Sequence, residues 1–258
     1  RALGDVYKRQ GIWMAAFHSV SAFCNAGIDI LGDSSLTAYV TNPIVNLTTM
    51  ILIILSGLGF TVWFDIIANG KKLIRREMPR RWWFTRLKLQ SKLAIIMTIL
   101  LIISGAVFVF LAEYDNPETL GNLSLGNKVM ASFFQSVTNR TAGFATISQN
   151  ALHTESKLFH CILMFIGGSP GGTAGGVKTT TIAMLFLACL TFVRGGNDTE
   201  CMGKKISVEN FRTGFCVVMA AFSVFTVGTI AILIIEPDTV PFCLLYTSPS
   251  PRDLSTSR

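Results

Sequence analysis

Two short stretches of this chain carry the same chemistry about 116 residues apart: residues 17–28 (FHSVSAFCNAGI) and residues 134–144 (FQSVTNRTAGF). Each reads Phe, a polar residue, Ser-Val-Ser/Thr, then Asn/Thr-Ala-Gly and a large apolar residue, with one residue of difference between them, which marks an internal repeat. Neither stretch contains a carboxylate, which is consistent with ligands supplied by the backbone and not by acidic side chains. Gly27 and Gly143 tolerate positive φ, which lets successive carbonyls turn toward one axis. A set of carbonyl oxygens arranged that way replaces the hydration shell of a potassium ion. The candidate ion ligands are therefore the backbone carbonyls of Asn25, Ala26 and Gly27 in the first copy and Thr141, Ala142 and Gly143 in the second. Asn25 stands where the second copy has the hydroxyl of Thr141, and a carbonyl ligand is indifferent to that exchange. Arg140 sits beside the second triplet and reads as a brace for the loop, because a guanidinium in the path would repel a cation.

A third segment has a different character. Gly167, Gly168, Ser169, Pro170, Gly171, Gly172, Thr173, Ala174, Gly175 and Gly176 place six glycines and a proline in ten residues inside an otherwise apolar run, 160–193. Each glycine costs a helix about 1 kcal/mol and the proline about 3, so the run splits into an outer half ending near Ile166 and an inner half starting near Val177. Unwound backbone at membrane depth marks an ion or solute path. Lys178 follows it after Val177, a cation that would oppose potassium and help hold a closed state. The string GGTAGGVKT nearly spells a phosphate-binding loop, but Val177 replaces the glycine required before the lysine and no strand precedes it, so nucleotide hydrolysis is set aside.

These segments need a membrane around them. Half of the 258 residues are hydrophobic and 14% are charged, against about 25% charged in a soluble domain; the mean hydropathy is +0.52. Crossing about 30 Å of hydrocarbon takes roughly 20 helical residues. Residues 43–67, 93–111 and 214–235 meet that length, and 160–193 exceeds it with a break. Between the first two spans lie Lys71, Lys72, Arg75, Arg76, Arg80, Arg81, Arg86, Lys88 and Lys92 against Glu77 alone, which makes this loop cytoplasmic. Glu113, Asp115 and Glu118 then lie outside, Arg194, Lys204, Lys205 and Arg212 inside, and Glu236 and Asp238 outside again. Trp82 and Trp83 read as interfacial anchors and not as a nucleic-acid patch. The stretch 127–143 must enter and leave from the outside, which fits a pore helix too short to cross followed by an extended return.

The motifs SVSAFCNAGI, SVTNRTAGF and MFIGGSPGGTAGGVKTTT closely resemble the membrane subunits of the Trk/Ktr/HKT family of potassium transporters, over essentially all of residues 11–242. The resemblance implies an all-α polytopic membrane protein of the inner cell membrane, built from repeated helix–pore loop–helix units of a potassium-channel-like pore. On that pattern residues 11–67 correspond to the pore loop and second helix of repeat two, 68–92 to a basic cytoplasmic loop, and 93–194 to repeat three with a broken second helix. Residues 195–242 then correspond to a cytoplasmic loop and the first helix of repeat four. About two of four repeats are present, so the expected object is an internal fragment. The resemblance further implies potassium uptake with residues 167–176 as the gate, a homodimer, and a cytosolic ring of nucleotide-binding (RCK-type) regulatory proteins that the basic loop helps to contact. It implies no enzyme activity and no bound cofactor beyond the transported potassium. The alternative is an ion-coupled secondary transporter of a small solute, which would show inverted repeats where these keep one orientation.

The ends read differently. Residues 1–10 and 243–258 break from the apolar pattern and resemble non-native translated scars. Setting aside their five basic and two acidic residues leaves 17 basic against 13 acidic, a net +4 in place of +7. Cysteines 24, 161, 189, 201, 216 and 243 form no CxxC pattern and read as apolar fillers. His153 and His160 read as ordinary residues of the external face, and Asp65 as a partner of the basic loop.

Overall fold

The computed structural model describes residues 2–31, 35–77, 79, 81, 83–194, 200–201, 204–205 and 208–235. The chain folds as nine α-helices among these residues, with a 3-10 turn at Thr37–Tyr39 between the first two: α1 (Ala2–Phe23), α2 (Pro43–Gly57), α3 (Phe60–Ile74), α4 (Trp83–Arg86), α5 (Leu89–Ala112), α6 (Leu125–Thr138), α7 (Thr154–Phe165), α8 (Thr179–Val193) and α9 (Val208–Ile235). A two-residue hairpin, β1 (Glu200–Cys201) against β2 (Lys204–Lys205), joins α8 to α9. The all-α reading therefore holds. Residues 2–10, set aside as scar-like, form the start of α1; residues 243–258, Trp82, Glu236 and Asp238 lie outside the described residues.

Local chemistry explains where helices begin. The Asn42 side chain accepts from the N–H groups of Ile44 and Val45 at 3.0 and 3.4 Å, and Pro43 occupies the first turn of α2, where its missing donor costs nothing. Helix α5 is capped from a distance: Asp65 of α3 accepts the Lys88 N–H at 2.8 Å while Asn69 donates to the same carboxylate. Asp65 thus meets the basic loop through its backbone, at the positive end of a helix dipole.

Helix α5 organises the packing. One face buries Ala94, Thr98, Leu101, Ile102, Gly105, Ala106 and Val109, while Ile99, Leu100, Ile103, Val107 and Leu111 on the other stay exposed. A helix apolar on both faces belongs in lipid. Its buried face meets α6 closely: Ser136 donates to the Ile102 carbonyl at 2.8 Å, and a Cβ on Gly105 would lie 2.3 Å from Ser136 Oγ. Phe108 of α5 stacks on Phe159 of α7 with centroids 4.1 Å apart. Helix α5 and residues Phe211–Ala231 of α9 are long and apolar enough to cross a membrane.

The expected span over 43–67 is long and apolar enough to cross a membrane as a pair of helices, but it is not one straight helix. It is two helices, α2 and α3, bent by 94° at Leu58 and Gly59. Gly59 has φ +84°, a conformation that no helix continues through and that glycine adopts at little cost. The run 160–193 breaks close to the expected points, with α7 ending at Phe165 and α8 starting at Thr179.

Candidate functional site

The two repeated motifs fold alike. Helices α1 and α6 end at Phe23 and Thr138, and each is followed by a loop in which positive and ordinary φ alternate. In the first loop Asn25 has φ 50° and Gly27 62°; in the second Thr141 has φ 72° and Gly143 86°, with Ala26 and Ala142 on the ordinary side between them. Alternation of this kind reverses the handedness at each residue, so that successive carbonyls turn to the same side and not to opposite sides as in a strand. Glycine provides it freely and asparagine tolerates it, whereas a β-branched threonine there is a strained outlier. Positive φ at the glycines follows from the motif; positive φ at Asn25 and Thr141 was not foreseen.

A hydroxyl fixes each loop at the same place. Ser21 donates to the Ile28 carbonyl at 2.6 Å, and Thr138 donates to the Phe144 carbonyl, also at 2.6 Å. These are the Ser/Thr of the Ser-Val-Ser/Thr repeat and the large residue after the glycine, so the motif's outer positions pin the turn that its inner positions form. The two loops touch. A Cβ on Gly27 would lie 2.6 Å from the Ala142 carbonyl oxygen and 2.7 Å from the Cα of Gly143. The Leu36 N–H donates to the Ala145 carbonyl at 2.9 Å and the Ala145 N–H to Ser35 Oγ at 3.3 Å, which ties the exits of the loops together. Ala22, Ile53, Phe134, Val137, Ala142 and Phe144 bury themselves in one apolar cluster behind them.

The glycine-rich segment is a closed lasso. Gly167 N–H donates to the Val177 carbonyl at 3.0 Å, Val177 N–H to the Phe165 carbonyl at 2.9 Å, and Ser169 Oγ lies 3.1 Å from Thr179 Oγ1. A Cβ on Gly167 would meet the Gly175 backbone, so the neck closes only with glycine. The lasso reaches both repeated loops. Asn25 Nδ2 donates to Thr173 Oγ1 at 2.9 Å, Thr173 Oγ1 donates to the Phe23 carbonyl at 3.3 Å, and Gly175 N–H donates to Thr141 Oγ1 at 2.9 Å. Asn25 and Thr141, equivalent in the repeat, thus both bond to one segment, Asn25 as a donor and Thr141 as an acceptor. Lys178 donates to the Ala174 carbonyl at 2.9 Å, so its half-buried ammonium closes its own lasso.

Arg140 is buried, and the hydrogen bond the structure gives it runs to Thr98 Oγ1 of α5 at 3.5 Å. Arg140 follows the end of α6, so this bond ties the start of the loop to α5. His18 of α1 lies edge-on to Phe17 and tilted beside Phe144, its Nδ1 bonded to the Met14 carbonyl at 2.7 Å. Among the described residues no group of three His, Cys, Asp or Glu could hold a metal ion.

Two positions were missed from sequence. His160 is fully buried on α7, which corrects its placement on the external face. Glu113, read only as an outer-loop charge, is fully buried and gathers the outer loops around itself: His153 N–H and Ser156 bond to one oxygen, Asn116 and Thr119 to the other. Burial pushes its carboxyl upward, but the bonds from Ser156, His153, Thr119 and Asn116 outweigh that and hold it below its ordinary value. Nothing local signals this, since its partners lie as far as 43 residues away.

The TrkH family, described as cation transport proteins, matches residues 2–240. The chain is 34% identical over 226 residues to Ktr system potassium uptake protein B of Bacillus subtilis, covering 88% of this chain and 48% of that protein. It is 38% identical over 197 residues to the potassium/sodium uptake protein NtpJ of Enterococcus hirae, covering 76% of this chain and 41% of that one. Among solved structures, the potassium transporter TrkH from Vibrio parahaemolyticus superposes with a TM-score of 0.64 at 19% identity, over 86% of this chain and 44% of its own. The chain spans about half the length of the curated relatives it matches. With its helices, repeated loops and broken helix as described, it belongs to the TrkH family of cation transport proteins.

Proposed function

We propose that this chain forms part of a pore for potassium uptake across the cell membrane, in which the carbonyls of Asn25, Ala26, Gly27, Thr141, Ala142 and Gly143 dehydrate the ion and residues 167–176 gate its passage. The observation that supports this most is the meeting of three segments. The two loops with alternating φ touch at Gly27 and Gly143, and the glycine-rich lasso bonds to both through Thr173 and Gly175. Backbone carbonyls suit an alkali cation, whose hydration they replace without adding fixed charge. The relatives named as potassium uptake proteins favour potassium as the cargo.

In this reading the complete subunit has four such repeats, two of the four filter loops being present here. It lies in the inner membrane as a homodimer and rests on a cytosolic ring of RCK-type regulatory proteins. The basic stretch that includes Lys71, Lys72, Arg75 and Arg76 faces that ring and the anionic lipid around it, and the lipid attraction is its primary role. The test is rescue of a potassium-uptake-deficient bacterium by the full-length protein carrying this sequence. Growth on micromolar potassium is expected for the parent and its loss for Gly27→Ala, whose Cβ would meet the Ala142 carbonyl at 2.6 Å. Undiminished, potassium-selective growth of Gly27→Ala would sink the filter assignment.

A further inference from the structure

The break between α2 and α3 is occupied by the glycine-rich lasso, bond for bond. A helix leaves its last carbonyls and first N–H groups without partners of its own. Here the lasso takes several of them at once. Ser169 N–H donates to the Gly57 carbonyl at 2.9 Å and Thr173 N–H to the Ser56 carbonyl at 3.3 Å, at the end of α2. At the start of α3, Phe60 N–H donates to the Gly171 carbonyl at 3.2 Å and Thr61 Oγ1 to the Pro170 carbonyl at 3.3 Å. The approach is as close as backbone permits. A Cβ on Gly59 would lie 2.4 Å from the Pro170 oxygen, and one on Gly172 would lie 2.6 Å from the Gly57 oxygen.

The identity of these groups matters. In an uninterrupted helix each N–H bonds to the carbonyl four residues earlier, so Phe60 N–H would pair with Ser56 and Thr61 N–H with Gly57. Ser56, Gly57 and Phe60 are the residues whose backbone groups the lasso now holds. If the lasso withdraws, the Gly57 carbonyl and the Phe60 N–H are stranded at membrane depth, where an unpaired backbone group is costly, while the Ser56 carbonyl keeps a bond from the Gly59 N–H at 3.3 Å. They escape that cost by pairing in helical register, which straightens α2 and α3 into one rod. The apolar run 43–67 is long enough to serve as that single span.

We infer that residues 56–61 are the second half of the gate, a two-state joint that is bent while the lasso is docked and straight when it has left. Ser56, Gly57, Gly59 and Phe60 are positioning residues for transport, acting through residues 169–173 and never touching the ion. The inference rests on the reading of 167–176 as a gate and adds a partner to it. Gly59 sets the balance between the two forms. It alone of the twenty residues enters φ +84° without strain, and it is also a poor residue for the middle of a helix. Replacing it by alanine penalises the docked form twice and favours the straight one, by at least about fivefold from helix preference alone.

The experiment reads the joint and the gate separately, in the full-length protein reconstituted in proteoliposomes. Spin labels at Ile44 and Ile74, both exposed near the far ends of α2 and α3, report the bend by pulsed dipolar spectroscopy in a background freed of native cysteines. At about 1.5 Å per residue their separation is about 30 Å for the bent pair and about 45 Å for a straight rod. Rubidium flux is measured on the same samples. Gly59→Ala and a deletion of residues 170–172 are each expected to raise flux and to move labels from the short distance to the long one. If the deletion raises flux while the labels stay near 30 Å in both variants, the gate stands and the joint is overturned. If the deletion leaves flux unchanged, the gate reading falls and the joint with it. A Gly59→Ala protein that does not fold leaves the deletion to decide.

Discussion

Thr141 is the residue whose conformation is hardest to explain by itself. A β-branched side chain at φ 72° is strained, and such strain persists only where surrounding contacts over-determine it. Its hydroxyl is the reason it is tolerated, because it accepts the Gly175 N–H that would otherwise be unpaired. Thr141→Val keeps the shape and the strain but strands that donor, which costs about 1–3 kcal/mol. Thr141→Asn copies Asn25, whose side chain suits positive φ and also reaches the lasso. The expected order in rubidium flux and in thermal midpoint is therefore native, close to Asn, well above Val; equal behaviour of Val and native would show that the hydroxyl does nothing. Glu113 makes a different prediction, one of pH. Its carboxyl is held below the ordinary value in the folded state, so its contribution is complete above the unfolded carboxylate range and is lost as pH falls through the folded value. Acid is thus expected to loosen the outer loops first. The protection of amides at residues 113–119 and 150–157, taken relative to their intrinsic exchange rate at each pH, should fall in the native protein as acid takes the pH below the ordinary carboxylate range. In Glu113→Gln the same amides should be less protected already at neutral pH, with little further loss of protection in acid. Equal protection of native and Glu113→Gln protein at neutral pH would remove the carboxylate from this role.

At the scale of elements, the contact of α5 with α6 decides where the second loop sits, since Thr138 and the loop follow directly from α6. That contact is close because Gly105 has no side chain: a Cβ there meets Ser136 Oγ at 2.3 Å and Leu163 Cδ1 at 3.0 Å. Overpacking of this kind costs about 1–3 kcal/mol. Gly105→Ala should lower the thermal midpoint of the purified protein in detergent, and adding Ser136→Ala should restore part of the loss, since the two sites share one space. Additive losses in the double variant would place the fault elsewhere. Elements differ in how plainly the sequence announces them. The lasso was legible to within two residues at either end, because six glycines and a proline forbid a helix whatever surrounds them. The repeated loops were legible because Ala-Gly recurs behind the same Ser-Val-Ser/Thr. The bend at Leu58 and Gly59 was not, because residues 43–67 are apolar enough to read as one span and the two glycines there are compatible with it. What breaks that helix is a set of partners about 110 residues further on, and no local pattern carries them. Arg140 shows the same limit in a side chain: its charge pointed to a brace, but only the fold supplies Thr98 as what it braces against.

The whole molecule poses a question of number. Two loops of alternating φ meet here, and a ring of carbonyls around a fully dehydrated ion needs more than two. The chain covers 48% of Ktr system potassium uptake protein B and 44% of the TrkH transporter it superposes on, so a protein of those lengths has room for twice as many repeats. If four loops in one subunit surround each pore, the 258 residues alone should insert in liposomes yet show no potassium-selective flux, while the full-length protein conducts. The apolar cluster behind the loops and the α5–α6 contact are internal to this chain, so its failure to conduct would reflect the missing ring members and not a failure to fold. Intrinsic tryptophan fluorescence and the thermal midpoint check that point independently. The informative exception is a potassium-selective flux from the short chain that grows with the square of its density in the membrane. That result would mean two copies pool their loops into one pore, and it would replace four repeats in one subunit by two in each of two.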